Sequence, residues 1–242
     1  MKAREQAGPR INQYIASCGI CSRREADRLI DAGRVFVNGT AATAGMRIRG
    51  TDEVTVDGKL LVGAQNKVVA AYYKPVGVTC TRSDRHADRT LEEAFSFPVR
   101  LTYAGRLDRD SEGLLLMTND GDLIDKMMRG ANGHEKEYIV RVRSRIPDAD
   151  LEHFRKGVRL RDLGATTRPC KVERLGDYTF RIILTQGLNR QIRRMCRAVG
   201  NEVVKLKRVR VLNIELGSMK PGEQRIIKGE ELQELYRMAS KL

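Results

Sequence analysis

Apolar and polar positions change period several times along the chain, and each change marks an element. Ile11, Tyr14 and Ile15 recur at helical spacing, so a first helix starts at about Arg10. Ser22 and Glu25 stand three apart ahead of Ala26, Leu29 and Ile30. That is the spacing of a capping box at the head of a second helix, which Gly33 closes. Val35–Val37 reads as a strand and Asn38-Gly39 as a tight hairpin turn, with further short strands at Met46–Ile48 and Glu53–Val56. Residues 58–67 read as a linker. Val68–Tyr73 then opens a second unit as a buried strand, stopped by the turn Lys74-Pro75-Val76-Gly77.

The second unit is longer and more mixed. Leu91–Phe97 is a short helix or turn, and Leu114–Met117 is an apolar run of buried-strand type. Asp122–Met128 reads as a helix with Leu123, Met127 and Met128 inside, and a strand alternates from Tyr138 to Val142. A helix over Asp148–Lys156 precedes short strands at Val158–Leu160 and Cys170–Glu173 and a clear one at Tyr178–Leu184. Residues 187–199 form a basic amphipathic helix with Ile192, Met195, Cys196 and Val199 on one face. Val203–Val211 follows as a strand alternating with Lys205, Lys207, Arg208 and Arg210, and the tail from Gly229 carries a helical pattern that docks on the sheet. Residues 1–9 and 79–89 are polar, and the expectation is disorder in the first and mobility in the second.

Charge sharpens this picture. The chain has 242 residues and 45 Lys and Arg against 31 Asp and Glu, a net charge of +14. An excess of that size points to a polyanion, with nucleic acid as the first candidate and an anionic membrane as the competitor. No apolar run approaches 18 residues and the first residues lack an apolar signal core, so a soluble cytoplasmic protein without a membrane partner is expected. Five cysteines, an odd number, fit reduced thiols. Cys18 and Cys21 have a zinc-like spacing with no second Cys or His pair nearby, and His86, His134 and His153 are scattered. No metal is expected. Walker A and GxGxxG patterns are absent too, so no cofactor is expected.

The densest candidate chemistry lies in GRLDRDSEGLLLMTNDGDL, residues 105–123. Arg106, Asp108, Arg109, Asp110, Ser111 and Glu112 crowd between two glycines, directly before the apolar run. Taken alone, the cluster reads as a solvated turn or as the polar rim of a site held by a buried strand. Asp108 among arginines stays ionised, and an ionised Asp serves as a nucleophile, a base or a stabiliser of an oxocarbenium-like sugar. On an RNA-binding scaffold this suggests glycosidic-bond chemistry on a nucleotide.

Two resemblances extend the reading. Residues 10–57, centred on ICSRREADRLIDAGRVFVNG, resemble an S4 domain, a small RNA-binding module. There Arg10, Arg23, Arg24, Arg28 and Arg34 would meet RNA, with Arg24 and Arg28 on one helix face and able to engage adjacent phosphates. Residues 68–229 resemble the catalytic domain of pseudouridine synthases, in the branch that carries an S4 domain and acts on ribosomal RNA. KPVG at 74–77, the 105–123 stretch, HEKEYIVRV at 134–142 and GLNRQIRRMC at 187–196 match that branch in order and spacing. The wording of the last two is most similar to the synthase F subgroup, which acts on 23S rRNA.

The resemblance implies a cofactor-free isomerisation. Asp108 would attack the ribose or help remove a sugar proton while the uracil N-glycosidic bond breaks, and the freed uracil would rotate and rejoin through C5. Tyr138 would stack on the base, Arg193 would pair with Asp108, and Ile192 would pack against the base. Arg106 would fill the space the base has left, with Lys74, Asn189 and Arg190 as further substrate contacts. The implied fold class is α+β. A small N-terminal S4 domain of αL type (residues 10–60) would be flexibly joined to a larger catalytic domain (68–235). That domain has a mixed, mainly antiparallel central sheet flanked by helices, and its central cleft is lined by strands at 68–73, 114–117, 138–142 and 178–184. The expected partner is ribosomal RNA, 23S foremost, met by a monomer. Small-subunit rRNA and tRNA stay open as substrates, and a non-catalytic ribosome-assembly factor and an RNA N-glycosylase stay open as alternatives. Ser111 stands where many relatives carry Thr, and the short tail puts in doubt any specificity that relatives place in a long basic extension.

Overall fold

The computed structural model describes residues 8–81, 89–129 and 133–240. The expected disorder of residues 1–7 and most of the expected mobile loop (82–88) lie outside the described residues. The chain forms two compact units, with the boundary after Lys67.

The first unit packs two helices on a small sheet. Helix α1 (Ile11–Ser17) buries Ile11 and Ile15, and α2 (Arg23–Asp31) buries Ala26, Leu29 and Ile30. Ser22 caps α2 by accepting from the Glu25 N–H at 3.1 Å. The Glu25 carboxylate does not show the return half of a capping box and accepts instead from Arg28 at 3.1 Å. Strands β1 (Val35–Val37) and β2 (Thr40–Ala41) form the expected hairpin, with Asn38 and Gly39 both at positive φ. With β3 (Val54–Val56) and β4 (Lys59–Leu60) they make a sheet of order β2-β1-β3-β4.

Two expectations here need correction. Met46–Ile48 is not a strand but makes one bridge, Arg10 to Arg47. Its backbone is spent on the lead into α1, with Ile11 N–H donating to Met46 O at 2.8 Å and Ile48 N–H to Pro9 O at 3.0 Å. The stretch 58–67 is not a free linker either. Lys59 and Leu60 are a strand, Leu61 is buried, and Gln65 N–H donates to Ser17 O at 3.0 Å.

The second unit is built on a nine-stranded sheet. Its strands are β5 (Val69–Lys74), β6 (Thr102–Ala104), β7 (Glu112–Thr118), β8 (Lys136–Val142), β11 (Lys171–Gly176), β12 (Thr179–Leu184), β13 (Val203–Val211), β14 (Ile214–Glu215) and β15 (Gln224–Ile226). A separate hairpin pairs β9 (Arg159–Leu160) with β10 (Ala165–Thr166). The main path runs β11-β12-β8-β13-β7-β5-β15, with β14 on β13 and β6 on β7. Every pairing is antiparallel except β13 with β7, so the sheet is mixed and mainly antiparallel.

Burial on both faces explains the apolar runs. In β7, Leu114 and Leu116 enter one core cluster and Leu115 and Met117 another, as side chains alternate across a strand. In β5, Val69, Ala71 and Tyr73 join the first cluster and Ala70 and Tyr72 the second. Helices α4 (Gly121–Met128) and α7 (Gly229–Ala239) cover the first through Leu123, Met127, Leu235 and Ala239. The short helix α3 (Leu91–Ala94) adds Leu91 to the second. A further cluster seats α5 (Asp148–Lys156) and α6 (Gln191–Ala198) on the other half of the sheet through Phe154, Phe180, Ile192 and Met195.

Three local expectations shift. Met128 is exposed and not part of the α4 core face. Helix α6 starts at Gln191, because Arg190 takes the left-handed conformation (φ +49°). In β13 the regular alternation fails, because bulges displace the register and Arg208 is buried.

Candidate active site

The loop carrying Asp108 is held from several sides. After β6 the chain turns at Gly105 (φ +88°), and buried Leu107 pins the loop to the core. Asp108 O then accepts from Ser111 N–H at 3.1 Å, and Arg109 O accepts from Gly77 N–H at 2.8 Å. The second bond couples this loop to the Lys74–Gly77 turn. Gly113 (φ +109°) begins the descent into β7, and a Cβ there would overlap the carbonyl oxygen of Arg208 and lie 2.8 Å from its nitrogen. Only glycine lets β7 and β13 approach so closely at that point.

Lys74 is fully buried, and its Nζ donates to Pro75 O and Val78 O at 2.8 Å each. Burial pushes its pKa down to about 8, against the pull of Cys80, Asp108 and Asp110. It therefore supports the turn beneath the loop and does not line the cleft, contrary to the expectation of a substrate contact.

The start of α6 meets the loop from the other side. Arg190 donates to both carboxylate oxygens of Asp110, at 3.1 and 2.6 Å, and lies 3.7 Å from Asp108 Oδ2. Arg193 does not pair with Asp108 as expected. It lies 3.2 Å from Asp110 Oδ2, donates to Asp110 O at 2.8 Å and Ser111 Oγ at 3.3 Å, and reaches Val203 O at 3.2 Å. Asn189 accepts from Arg194 through its backbone and side-chain oxygens, at 2.9 and 3.0 Å. The Asp110 carboxyl is pushed up by burial, but the Arg190 hydrogen bonds and the Arg193 and Arg190 charges outweigh this and hold it below its ordinary value.

Between loop and helix lies a cleft of about 320 Å³, lined by Arg106, Asp108, Tyr138, Asn189, Arg190 and Ile192 among others. The fold thus brings together most of the residues singled out in sequence. Tyr138 is half-buried and packs against two core clusters, so its ring is fixed. Its strand is locked by Arg210, which donates to Glu137 at 2.8 Å and Glu135 at 2.9 Å; the acidic residues of HEKEY are therefore structural. Lys136 and Arg208 also line the cleft, and burial, with the Arg208 charge, lowers the Lys136 pKa. Arg208 is the residue sequence reasoning missed. The sequence pattern gives it only as one of the basic residues alternating along the 203–211 strand, and the structure buries it.

In the first unit, Arg10, Arg24, Arg28 and Arg34 are exposed and Arg23 is partly so. Arg34 is bound to both oxygens of Asp57, at 2.6 Å each. Cys18 and Cys21 pack against the core of that unit. Among the described residues no cluster of three or more His, Cys, Asp or Glu could hold a metal ion.

The cleft therefore places a loop-borne carboxylate, Asp108, opposite a packed tyrosine, Tyr138, on a chain whose first unit exposes several arginines. Residues 68–198 match the RNA pseudouridylate synthase family and residues 9–54 match the S4 domain. The chain is 44% identical over 231 residues to the dual-specificity RNA pseudouridine synthase RluF of Escherichia coli (strain K12), spanning 95% of this chain and 79% of that one. It is 34% identical to ribosomal large subunit pseudouridine synthase B of Bacillus subtilis (strain 168), over 95% and 96% of the two chains. A crystal structure of a pseudouridylate synthase superposes with a TM-score of 0.69 at 29% identity, covering 93% of this chain and 99% of that one. The chain belongs to the RNA pseudouridine synthase family, in the branch with an N-terminal S4 domain, and is an isomerase.

Proposed function

We propose that this enzyme converts a uridine of 23S rRNA to pseudouridine, with Asp108 as the reacting group. The observation that carries this reading is the shared cleft, in which Asp108, Tyr138 and Ile192 meet. The names of the Bacillus relative and its counterparts support the large subunit as the target. A stacked uridine cannot enter such a cleft, so the base must leave its helix at a cost of a few kcal/mol. Tyr138 stacks on the extruded ring, Ile192 packs against it, and exposed Arg106 fills the vacated space. Asp108 attacks the ribose or takes a sugar proton as the N-glycosidic bond breaks, and the uracil turns and rejoins through C5. Arg190 and Arg193 act on this step through Asp110, by holding the loop.

In the first unit Arg10, Arg23, Arg24 and Arg28 supply phosphate contacts. The enzyme acts as a cytoplasmic monomer in this reading, which its ribosomal-RNA relatives support for the compartment; no helix among the described residues is long and apolar enough to cross a membrane. The test is tritium release from C5-labelled 23S transcript, with small-subunit rRNA and tRNA in parallel. Asp108→Asn should bind the transcript as the wild type does and release no tritium. Retained release in that variant would sink the assignment of Asp108. No release from the wild type would favour a non-catalytic assembly factor, and free uracil would favour an N-glycosylase.

A further inference from the structure

Arg208 lies within β13 and is 2% exposed, an unusual place for a guanidinium. Its register partner on β8 is Tyr138, and on β7 it is Gly113. Directly opposed residues project from the same face of a sheet, so the Arg208 and Tyr138 side chains lie side by side. Both line the cleft that Asp108 lines. On the far side of Gly113 the register continues to Lys74, so one transverse row of the sheet reads Tyr138, Arg208, Gly113, Lys74.

Two of the three guanidinium nitrogens have fixed duties. Nε donates to Leu114 O at 2.7 Å and Nη1 to Arg106 O at 3.2 Å, which ties together the two ends of the Asp108 loop. The third nitrogen, Nη2, is buried and has no hydrogen-bond partner in the protein. A buried charged donor left without an acceptor is costly, and arginine can only donate. The ligand that completes it must present an acceptor.

We infer that Arg208 contacts the substrate and selects it, its Nη2 donating to a ring carbonyl of the uracil that stacks on Tyr138. Uracil has acceptors at O2 and O4, whereas cytosine carries an amino donor in place of O4, so the same nitrogen disfavours cytosine wherever it faces position 4 of the ring. The half-turn that brings C5 to the ribose runs about the N3–C6 line and exchanges O2 with O4. One fixed donor therefore meets a carbonyl both before and after the turn. As the N-glycosidic bond breaks, its electron pair passes to the ring and charge develops on the carbonyl oxygens. A fixed cation in a buried place holds that charge without reorganising.

The inference rests on the uridine isomerase reading, and the test separates the two. The target uridine is first located by mapping pseudouridine in treated 23S transcript, and a fragment around it is made with uridine, 2-thiouridine or 4-thiouridine at that position. Sulfur is the weaker acceptor. Under single turnover, the wild type should slow about 10- to 100-fold on at least one thio fragment, the scale of one hydrogen bond to a charged group. Arg208→Met should be slow on the uridine fragment and show less than about a three-fold further thio penalty. Arg208→Lys, which keeps the charge but not the fork, serves the same comparison if the first variant does not fold. A full thio penalty in the variants, or none in the wild type, would overturn the inference. Absence of any mapped pseudouridine in the treated transcript would overturn the isomerase reading and this one together.

Discussion

Arg190 grips Asp110 through both carboxylate oxygens, at 3.1 and 2.6 Å, and thereby fastens the Asp108 loop to the start of α6. The closer pairing of Arg190 thus falls on the carboxylate two residues beyond the proposed reacting one, which Arg190 approaches only to 3.7 Å. Asp110 anchors, and Asp108 is left able to move against a substrate.

Removing the anchor should cost catalysis more than binding. Asp110→Asn is expected to lower kcat about 10- to 100-fold through misplacement of Asp108, with the Kd for RNA within about two-fold of wild type. The pair is also pH-sensitive in a defined direction. Asp110 is held below its ordinary value, so its stabilisation is complete above the unfolded carboxyl value of about 3.9 and fades as the pH falls through the lower, folded value. The difference in Tm between wild type and Asp110→Asn should therefore be constant from pH 5 to 7 and shrink in stronger acid. A difference that persists at the acid end would show that Asp110 acts by packing alone.

Lys74 gives the opposite pH signature. Its folded pKa, pushed down to about 8 by burial, lies below the unfolded value of about 10.4, so the unfolded chain binds more protons between them and stability rises with pH. The neutral amine still has two donors, enough for Pro75 O and Val78 O. Relative to Lys74→Met, the wild type should gain up to about 3 kcal/mol from pH 7 to pH 10.5. Urea unfolding of both proteins across that range checks it, since other titrations cancel in the difference. A flat difference would mean that Lys74 is not desolvated as the structure places it.

At Gly113 the backbone itself is tested. The positive φ and the contact with the Arg208 backbone leave no room for a methyl group. Gly113→Ala should lose at least about 2 kcal/mol in urea unfolding, combining strain with overpacking. Gly105→Ala shares the positive φ, but its Cβ would meet only Met128 Sδ at 3.7 Å, so it should lose less. Equal losses would assign the cost to φ alone and deny the close β7–β13 approach.

How far the sequence reaches is clear from these same residues. The bounds of α5 and β13 and the buried run of β7 follow from local period and flanking residues, and the structure reproduces them. The short tail also docks as expected, with Leu235 and Ala239 in the core and the Tyr236 hydroxyl on Asp120 at 2.8 Å. Arg208 was not legible, because its burial depends on a parallel pairing with Gly113 across 95 positions of chain. Nor was the choice of Asp110 over Asp108 by Arg193. Two carboxylates two positions apart on one loop look alike in sequence, and only the turn at Asp108–Ser111 decides which one faces α6.

The first unit offers a test of which arginines meet RNA. Arg24 is exposed on α2. Arg34 is also exposed but bound to Asp57 by two hydrogen bonds of 2.6 Å, and that pair carries no net charge to offer a phosphate. Each phosphate contact releases counterions, so losing one should flatten the slope of log K against log salt by about 1. Arg24→Ala should show that change in binding to 23S transcript, and Arg34→Ala should show less than half of it. Asp57→Ala should act in the reverse direction, freeing Arg34 and steepening the slope. If Arg34→Ala flattens the slope as much as Arg24→Ala does, the Asp57 pair opens when RNA binds, and pairing in the free protein does not identify the contacts.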